Sequence, residues 1–176
     1  MRAIQKPEGA FVRIRLAAVQ YADAIARVIN EAFRIAESLF IDGDRTNSEE
    51  VRAMLDTGAF LLTEDASGLL CCVHVEIRGN RGYFGLLAVE PAAQHNGLGR
   101  TLVARAEHHA RQAGCPFMDL RIVNLRTELP PFYRRLGYVE TGMEPFPAEA
   151  ALPFRENVKA PLIETASPAQ NHVLAR

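Results

Sequence analysis

The sequence predicts a domain of the α/β (α+β) class, in which helices flank a mixed sheet. Two stretches, after Tyr21 and after Gly97, place apolar residues every three to four positions, as amphipathic helices do. Short apolar or alternating runs between turn residues are typical of strands. The resulting order is strand, helix, helix, three hairpin-linked strands, helix, strand, helix and strand. Strands on the two sides of a crossover helix run parallel, so we expect a parallel pair around residues 97–112.

The composition is that of an ordinary globular protein, with 48% hydrophobic and 23% charged residues in a chain of 176. We expect one domain over residues 1–176, with a core from about 11 to 166 and a loose tail at 167–176. The formal net charge of −1 gives no overall attraction to nucleic acids or anionic lipids. Neither nucleic acid nor membrane is therefore an expected partner.

Cysteine usage and hydropathy predict where the protein works. The three cysteines, Cys71, Cys72 and Cys115, lack the spacing of a disulfide framework or a zinc knuckle. Charges and a proline interrupt the N-terminal residues, and no apolar run approaches the ~20 residues of a membrane span. We therefore expect a cytoplasmic protein.

Local patterns in the first half of the chain predict its elements. Residues 11–16 alternate apolar and charged side chains, and residues 25–36 carry the first helical stripe. Ser48, followed by two acids, has the chemistry of a helix cap, and this second helix should end near Gly58. Turn residues separate three further strands, at 59–63, 69–77 and 83–89.

The second half alternates helices and strands. An amphipathic helix at 97–112 is followed by an alternating strand at 117–123. Residues 130–136 have proline in the first turn and glycine past the end, as short helices do. A strand opens at Tyr138, and residues 158–165 could supply one more strand at an edge of the sheet.

The turn between Val89 and the helix that begins near Gly97 has the clearest chemical signature. Free amides and the positive end of the helix dipole meet there, and Gly97 and Gly99 carry no side chain that would keep a phosphate away. The residues therefore predict an anion cradle, although a tight turn with glycines needed only for packing has the same pattern. A dinucleotide fingerprint would need glycine where Leu102 stands, and the Gly-Lys-Ser/Thr of a P-loop is absent.

The elements from Tyr83 to Tyr138 resemble the GNAT superfamily of acyl-CoA-dependent N-acetyltransferases. The motif Gln94-x-x-Gly97-x-Gly99, between a strand and an amphipathic helix, carries the resemblance, together with the later segment Pro131-Phe132-Tyr133. In the order of its elements the resemblance extends over residues 11–142. It implies a mostly antiparallel central sheet with a splayed parallel strand pair, and acetyl-CoA as the co-substrate.

The resemblance also implies roles for individual residues. In the family, amides of the glycine loop hold the pyrophosphate of coenzyme A, and the pantetheine arm pairs with the preceding strand. The cofactor-binding positions implied here are Leu87, Ala88, Val89, Gln94, His95, Asn96, Gly97, Leu98, Gly99, Arg100 and Asn124. Tyr133 matches the catalytic acid that protonates the departing thiolate; the alternative is a core aromatic beside Phe132 and Leu136. Asn96 departs from the family, in which many members carry Arg, Lys or Gly, and Arg100, Arg134 or Arg135 could compensate.

An attacking amine must lose a proton, so a base or a water chain leading to one is needed. Several family members carry a carboxylate early on the central strand, where this chain has Arg81-Gly82-Tyr83. Alternation places His74 and Glu76 on one face of the neighbouring strand, and Glu76 acting through water is the catalytic base that we expect. The alternative is a solvated polar face. The loop Asp42-Gly43-Asp44-Arg45 matches the acceptor region, where its two acids would favour a cationic amine unless the loop is merely solvated.

The resemblance implies an enzyme that transfers the acetyl group of acetyl-CoA to a primary amine by direct attack in a ternary complex. The acceptor would be a small-molecule amine or an amine of a peptide or protein, and a homodimer is plausible from the possible edge strand. No metal is expected, because no histidines have ligand spacing. Two alternatives stay open: a catalytically silent acyl-CoA-binding sensor, which would not depend on Tyr133, and a mononucleotide-binding protein.

Overall fold

The structure, a computed structural model, describes residues 13–147, 154–155 and 162–168. The strands are β1 Arg15–Leu16, β2 Ala59–Asp65, β3 Gly68–Arg78, β4 Arg81–Val89, β5 Phe117–Val123, β6 Tyr138–Pro145 and β7 Leu162–Pro168. The helices are α1 Ala22–Glu37, α2 Ser48–Thr57, α3 Leu98–Gln112 and α4 Leu129–Arg135. Each predicted helix is present within a residue or two of its expected bounds. No helix in the described ranges is both long and apolar enough to cross a membrane.

The strands form one seven-stranded sheet in the order β1-β2-β3-β4-β5-β7-β6. The predicted hairpins β2–β3 and β3–β4 are antiparallel, and β4 and β5, on either side of α3, are the expected parallel pair. The mixed, mostly antiparallel α/β fold is thereby confirmed.

The last strand departs from expectation in two ways. β7 was expected at an edge, yet it lies inside the sheet between β5 and β6, which leaves β6 at the edge. It also extends to Pro168, so Ser167 and Pro168, expected in the loose tail, belong to the sheet. Local patterns do not encode strand order, because pairing partners are chosen by long-range contacts. The expected strand residues 11–12 and 158–161, and the tail at 169–176, lie outside the described residues.

The two amphipathic helices cover opposite faces of the sheet. On one face, Leu102 and Ala106 of α3 pack in a core with Val73 and Phe84. The core on the other face combines α1 with β2 and β3, and its members include Ile25, Ile29, Phe60, Leu62 and Leu69. The predicted helical stripes are therefore the faces that bury the sheet. All three cysteines are buried and free.

The cap of α2 differs by one residue from expectation. Asn47, not Ser48, is the N-cap, and its Oδ1 accepts a hydrogen bond from the Glu50 amide at 3.0 Å. The helix ends at Gly58, as expected, and this glycine permits a close approach. A Cβ at position 58 would come within 2.7 Å of both His74 Nε2 and the Val75 carbonyl oxygen.

A bulge in β4 separates the parallel pair. Cys72 pairs with Ala88 and His74 with Gly85, so Leu86 and Leu87 both lie opposite one residue of β3. Leu86 adopts the left-handed region with φ of 51°, which costs a side-chain-bearing residue roughly 1–2 kcal/mol. The ladder between β4 and β5 stops at the pair Phe84 and Leu120. Beyond that pair β5 continues on β7 alone, and a gap opens between the two parallel strands.

Candidate active site

A cavity of about 610 Å³ occupies the gap between β4 and β5. Gly85, Leu86 and Leu87 of the bulge form one wall, and the end of β5 forms the opposite wall. The last turn of α1, part of α2 and α4 close the remaining sides. The charged residues that line the cavity are Arg45, Arg78, Arg121, Arg126, Glu37, Glu50 and Glu76. The bulge thus supplies both the opening and a stretch of β4 backbone that β5 does not pair.

The loop before α3 has the backbone geometry of an anion cradle. His95 and Gly97 adopt positive φ angles of 63° and 78°, which turn the chain sharply into the helix. The first helical hydrogen bond runs from the Thr101 amide to the Gly97 carbonyl, so the amides of residues 98–100 have no partner within the helix. These amides and the helix dipole favour an anionic ligand at this end of α3.

Two polar side chains of the loop hold it in place. Gln94 donates from Nε2 to the Val89 carbonyl at 3.2 Å, and Asn96 donates from Nδ2 to the Ala93 carbonyl at 3.2 Å. Both bonds tie the loop to its own chain. The structure therefore gives these two side chains a positioning role, while the backbone is left to face a ligand.

The surroundings of Gly99 would accommodate a Cβ. A Cβ at this position would find its nearest neighbours, in Phe132, Leu87 and Val89, at 3.8–3.9 Å, which is ordinary contact distance. Packing does not require glycine here, and the φ angle does not require it either. A ligand that approaches the amides would use the room that the missing side chain leaves.

Tyr133 of α4 faces the same cavity. Its ring packs against Phe84, Phe132 and Tyr138 at centroid distances of 5.9, 5.0 and 6.1 Å. Its hydroxyl has no hydrogen bond to any residue that the structure describes, and burial raises the pKa of this phenol well above its usual value. Tyr133 is thus both a core aromatic and a cavity residue, with its hydroxyl left available and protonated at any working pH.

His74 and Glu76 were expected either to include a base or to form a solvated face, and the face is covered. His74 is buried, with Nε2 3.3 Å from the Met54 carbonyl of α2. A carbonyl only accepts, so in the neutral ring the proton lies on Nε2 and Nδ1 is an acceptor. Nδ1 lies 3.5 Å from Glu76 Oε1, and Glu76 Oε2 accepts from Arg78 Nε at 2.7 Å. Burial lowers the pKa of His74 despite the Glu76 charge.

The remaining positions predicted to bind the cofactor differ in how far they are open to a ligand. Leu87 lines the cavity, whereas the Ala88 side chain is buried in the α1 core and could meet a ligand only through its backbone. Arg100 is exposed on α3. Asn124 Oδ1 accepts from the Leu162 amide at 3.1 Å, which ties the end of β5 to β7 and leaves Nδ2 for any ligand. Its role toward pantetheine stays a prediction.

Sequence reasoning missed a tyrosine and a charge cluster. Tyr83 lines the cavity, and a Cβ at Gly85 would lie 3.2 Å from its hydroxyl. Burial raises its pKa. The cluster joins Arg45, Glu37 and Arg126, which are far apart in the sequence. In the sequence, the cluster was signalled only by Glu37, an acidic residue at the end of the first amphipathic helix, where it is buried. Within the described ranges, no three His, Cys, Asp or Glu side chains meet as a metal site would require.

Comparison with known proteins identifies the family. A family model described as an acetyltransferase (GNAT) domain matches residues 56–140, which include β3, the bulge, the glycine loop and Tyr133. Over these residues the chain matches the GNAT superfamily. This assignment confirms the resemblance on which the residue roles were predicted.

Similar proteins extend the GNAT assignment. The chain is 32% identical over 109 residues to glucosamine 6-phosphate N-acetyltransferase 1 of rice (Oryza sativa subsp. japonica), a match that covers 57% of this chain and spans 64% of the relative. The PaiA N-acetyltransferase of Thermoplasma acidophilum, solved with coenzyme A, superposes with a TM-score of 0.68 at 15% identity, covering 88% of this chain and 97% of that one. YncA of Salmonella typhimurium, solved with acetyl-CoA, gives 0.68 at 19% identity over 95% and 98%. At these identities the structures show a shared GNAT fold.

We expect His74 to titrate below the usual histidine pKa of 6.5. Between that lowered pKa and 6.5 the unfolded chain binds a proton that the folded chain does not, so the free energy of unfolding falls as the pH drops through this range. An NMR titration of the His74 ring, assigned with His74→Gln, measures the pKa directly. His74→Gln should also flatten this part of the stability profile. A midpoint at or above 6.5 would contradict the expectation.

Proposed function

We propose that the protein is an acetyl-CoA-dependent N-acetyltransferase that acts on a primary amine held between β4 and β5. The observation that carries the proposal is that the anion cradle and a free tyrosine hydroxyl belong to one continuous site. Leu87 and Phe132 join them, because both neighbour Gly99, while Leu87 lines the cavity and Phe132 packs on Tyr133. GNAT membership and the rice relative support the same activity.

The residues present fit coenzyme A. The amides of residues 98–100 would hold its pyrophosphate, with Gly99 leaving room for the oxygens. The β4 backbone beyond Phe84, which β5 does not pair, would receive the pantetheine amides as an added strand. When bound, acetyl-CoA supplies a thioester whose carbonyl carbon bonds to the amine nitrogen as the carbon–sulfur bond breaks.

Tyr133 would donate its hydroxyl proton to the sulfur as that bond breaks. Burial keeps the phenol protonated, and burial also strengthens thiolates as bases, as at Cys71, where it raises the thiol pKa to about 12. A desolvated sulfur is therefore a competent acceptor for a buried phenol. Because the Tyr133 hydroxyl has no hydrogen-bond partner among the described residues, it could donate its proton directly to the sulfur.

Glu76 would take the proton that the amine loses, through a water molecule. One of its oxygens is fixed by Arg78, and the other faces His74 Nδ1 at 3.5 Å. A proton arriving at this pair can be shared between the carboxylate and the imidazole, since neutral His74 presents an acceptor there. This pair on β3 would stand in for the carboxylate that β4 lacks.

Tyr133→Phe should lower kcat about 10²- to 10⁴-fold with little change in the Kd of acetyl-CoA, because only the transferable proton is removed. Release of coenzyme A thiol across a panel of amines, amino acids, aminoglycosides and peptides measures turnover, and glucosamine 6-phosphate belongs in that panel. Tyr138→Phe is the matched control: Tyr138 is also buried, but its hydroxyl donates to Glu107 at 2.8 Å. Undiminished turnover in Tyr133→Phe would exclude Tyr133 as the acid. Tyr83→Phe would then test whether Tyr83, the other phenol of the cavity, donates the proton.

Glu76→Gln should lower kcat/KM about 10²-fold or more and abolish the rise of activity with pH that a carboxylate base produces. Glu50→Gln, which removes another cavity carboxylate, should leave the pH profile unchanged. The profile of kcat/KM against pH is the measurement. If both variants keep the parental profile, the proton leaves by another route.

Gly99→Val should weaken acetyl-CoA binding by about tenfold or more, because its side chain would occupy the room in front of the amides. Its Cβ meets only ordinary contacts, and the unfolding scan reports whether the two γ-methyl groups are tolerated as well. Calorimetric titration with acetyl-CoA, beside a thermal unfolding scan, separates binding from stability. Gly142→Ala on β6, away from the cradle, is the control. Unaltered affinity would place the pyrophosphate elsewhere; binding without turnover of any amine would instead favour the acyl-CoA sensor.

A further inference from the structure

The cavity holds a buried cluster with more cations than anions. Glu37, at the end of α1, has a side chain only 4% exposed, and its Oε1 accepts from Arg126 Nη1 at 3.1 Å. Arg45 Nε lies 3.9 Å from the other oxygen, Oε2, which is beyond hydrogen-bond distance. The two guanidinium side chains are 13% and 18% exposed. Arg126 also pairs with Glu128 at 2.6 Å, but that carboxylate is 59% exposed. Among the buried members of the cluster, one carboxylate therefore faces two arginines.

Arg45 is the underused member of the cluster. Its side chain donates no hydrogen bond to any residue in the described part of the chain, and its Nε is buried without a partner. The Phe33 ring positions it, with the guanidinium carbon 5.4 Å from the ring centroid, and Arg126 lies over the same ring at 5.5 Å. A guanidinium has five N–H donors in a rigid fork, and this one is held in the cavity wall with its donors unspent.

The other arginines of the cavity already have carboxylate partners. Arg78 pairs with Glu76 at 2.7 Å, and Arg121 pairs with Glu144 at 2.9 Å. The guanidinium with donors available for a ligand is therefore that of Arg45. Arg126 can add the N–H groups that its two carboxylate partners do not use. Burial lowers the pKa of Arg45, so the site gains from an anion that compensates the desolvated charge.

The acids of the same loop do not offset Arg45. Asp44 pairs with Arg34 at 2.7 Å and Asp42 lies 3.8 Å from Arg155. Both acids line a second cavity of about 440 Å³, and Arg45 lies in the wall that this cavity shares with the first. The loop was expected to attract a cationic acceptor through these two acids. Both acids are more than half exposed, and Arg45 of the same loop also lines the larger cavity.

We propose that the amine acceptor carries an oxyanion, a phosphate ester or a carboxylate, which accepts hydrogen bonds from Arg45 and Arg126. This inference rests on the proposed function and adds the substrate class. The anion would lie at the α1 end of the cavity, while Glu76 on β3 receives the amine proton at another part of its wall. Paired guanidiniums match the geometry of such oxyanions and reject neutral analogues, because a desolvated cation would be left unpaired.

The competing explanation is structural: the cluster could serve only to fix the end of α1 to the segment after β5. The two explanations differ in what Arg45 does. Arg126 makes the short bonds to Glu37 and to Glu128, so anchoring needs Arg126 but not Arg45. Arg45→Met keeps the aliphatic length over Phe33, removes the charge, and is therefore the informative variant.

The first test is equilibrium binding, which needs no turnover. Calorimetric titration at constant ionic strength uses inorganic phosphate and acetate as separate probes of the two oxyanion classes. We expect one of them to bind the parent chain, and to bind Arg45→Met at least about tenfold more weakly, with Arg45→Lys intermediate. Arg34→Met, which removes a more exposed arginine of the second cavity, is the control. Failure of both probes to bind, or equal binding to Arg45→Met, overturns the proposal.

The second test uses matched acceptors: glucosamine 6-phosphate beside glucosamine, and phenylalanine beside phenylalaninamide. We expect one anionic member to be preferred in kcat/KM, and Arg45→Met to reduce that preference about 10- to 100-fold through KM. Equal use of charged and neutral members, or equal loss on both, overturns the substrate class and leaves the transferase intact. Oxyanion binding without release of thiol in the presence of any acceptor would instead overturn the transferase and leave the site.

Discussion

Phe84 and Leu120 are the last residues at which β4 and β5 lie side by side. The extra residue in β4, with Leu86 held in a left-handed conformation, turns that strand away from its parallel neighbour. Every other feature of the site depends on this separation. It frees backbone groups on β4, makes room for Tyr133 beneath them, and aims the strand end at the turn into α3. Strain of this kind persists only where the surrounding packing enforces it, as the cores on both faces do here.

Different walls of the cavity carry different kinds of polar side chain. On the β3 side lie a carboxylate and a neutral imidazole, which are proton acceptors. On the α1 side, two guanidiniums face one buried carboxylate, Glu37. The phenols of Tyr83 and Tyr133, both kept protonated by burial, lie on the walls of the same cavity. Glu37, Arg45 and Arg126 are largely buried, so they act on one another with less screening than at a surface. An amine bearing an anion would be oriented by this division before any contact specific to its shape.

Much of this arrangement was predictable from the sequence, and the rest was not, for physical reasons. The stripes of α1 and α3 and the glycine loop are local patterns, and a motif pointed to Tyr133 as a residue of the cavity. The left-handed conformation of Leu86, and with it the bulge, could not be predicted, since leucine rarely adopts positive φ. Glu37 and Arg126 are 89 positions apart, and only the fold brings them together. The burial of His74 does have a counterpart in the sequence. Gly58 has no Cβ, and this makes room for the imidazole.

The place of β7 in the sheet imposes an order on assembly. β6 hydrogen-bonds to β7 and to no other described strand, and β5 meets β7 along the edge that faces away from β4. During synthesis β6 therefore emerges with no template to pair with, and the far side of the cavity cannot close until residues 162–168 have left the ribosome. Until then the nascent chain exposes two unsatisfied strand edges, which makes this interval the one in which chaperones or a second nascent chain would most readily capture it.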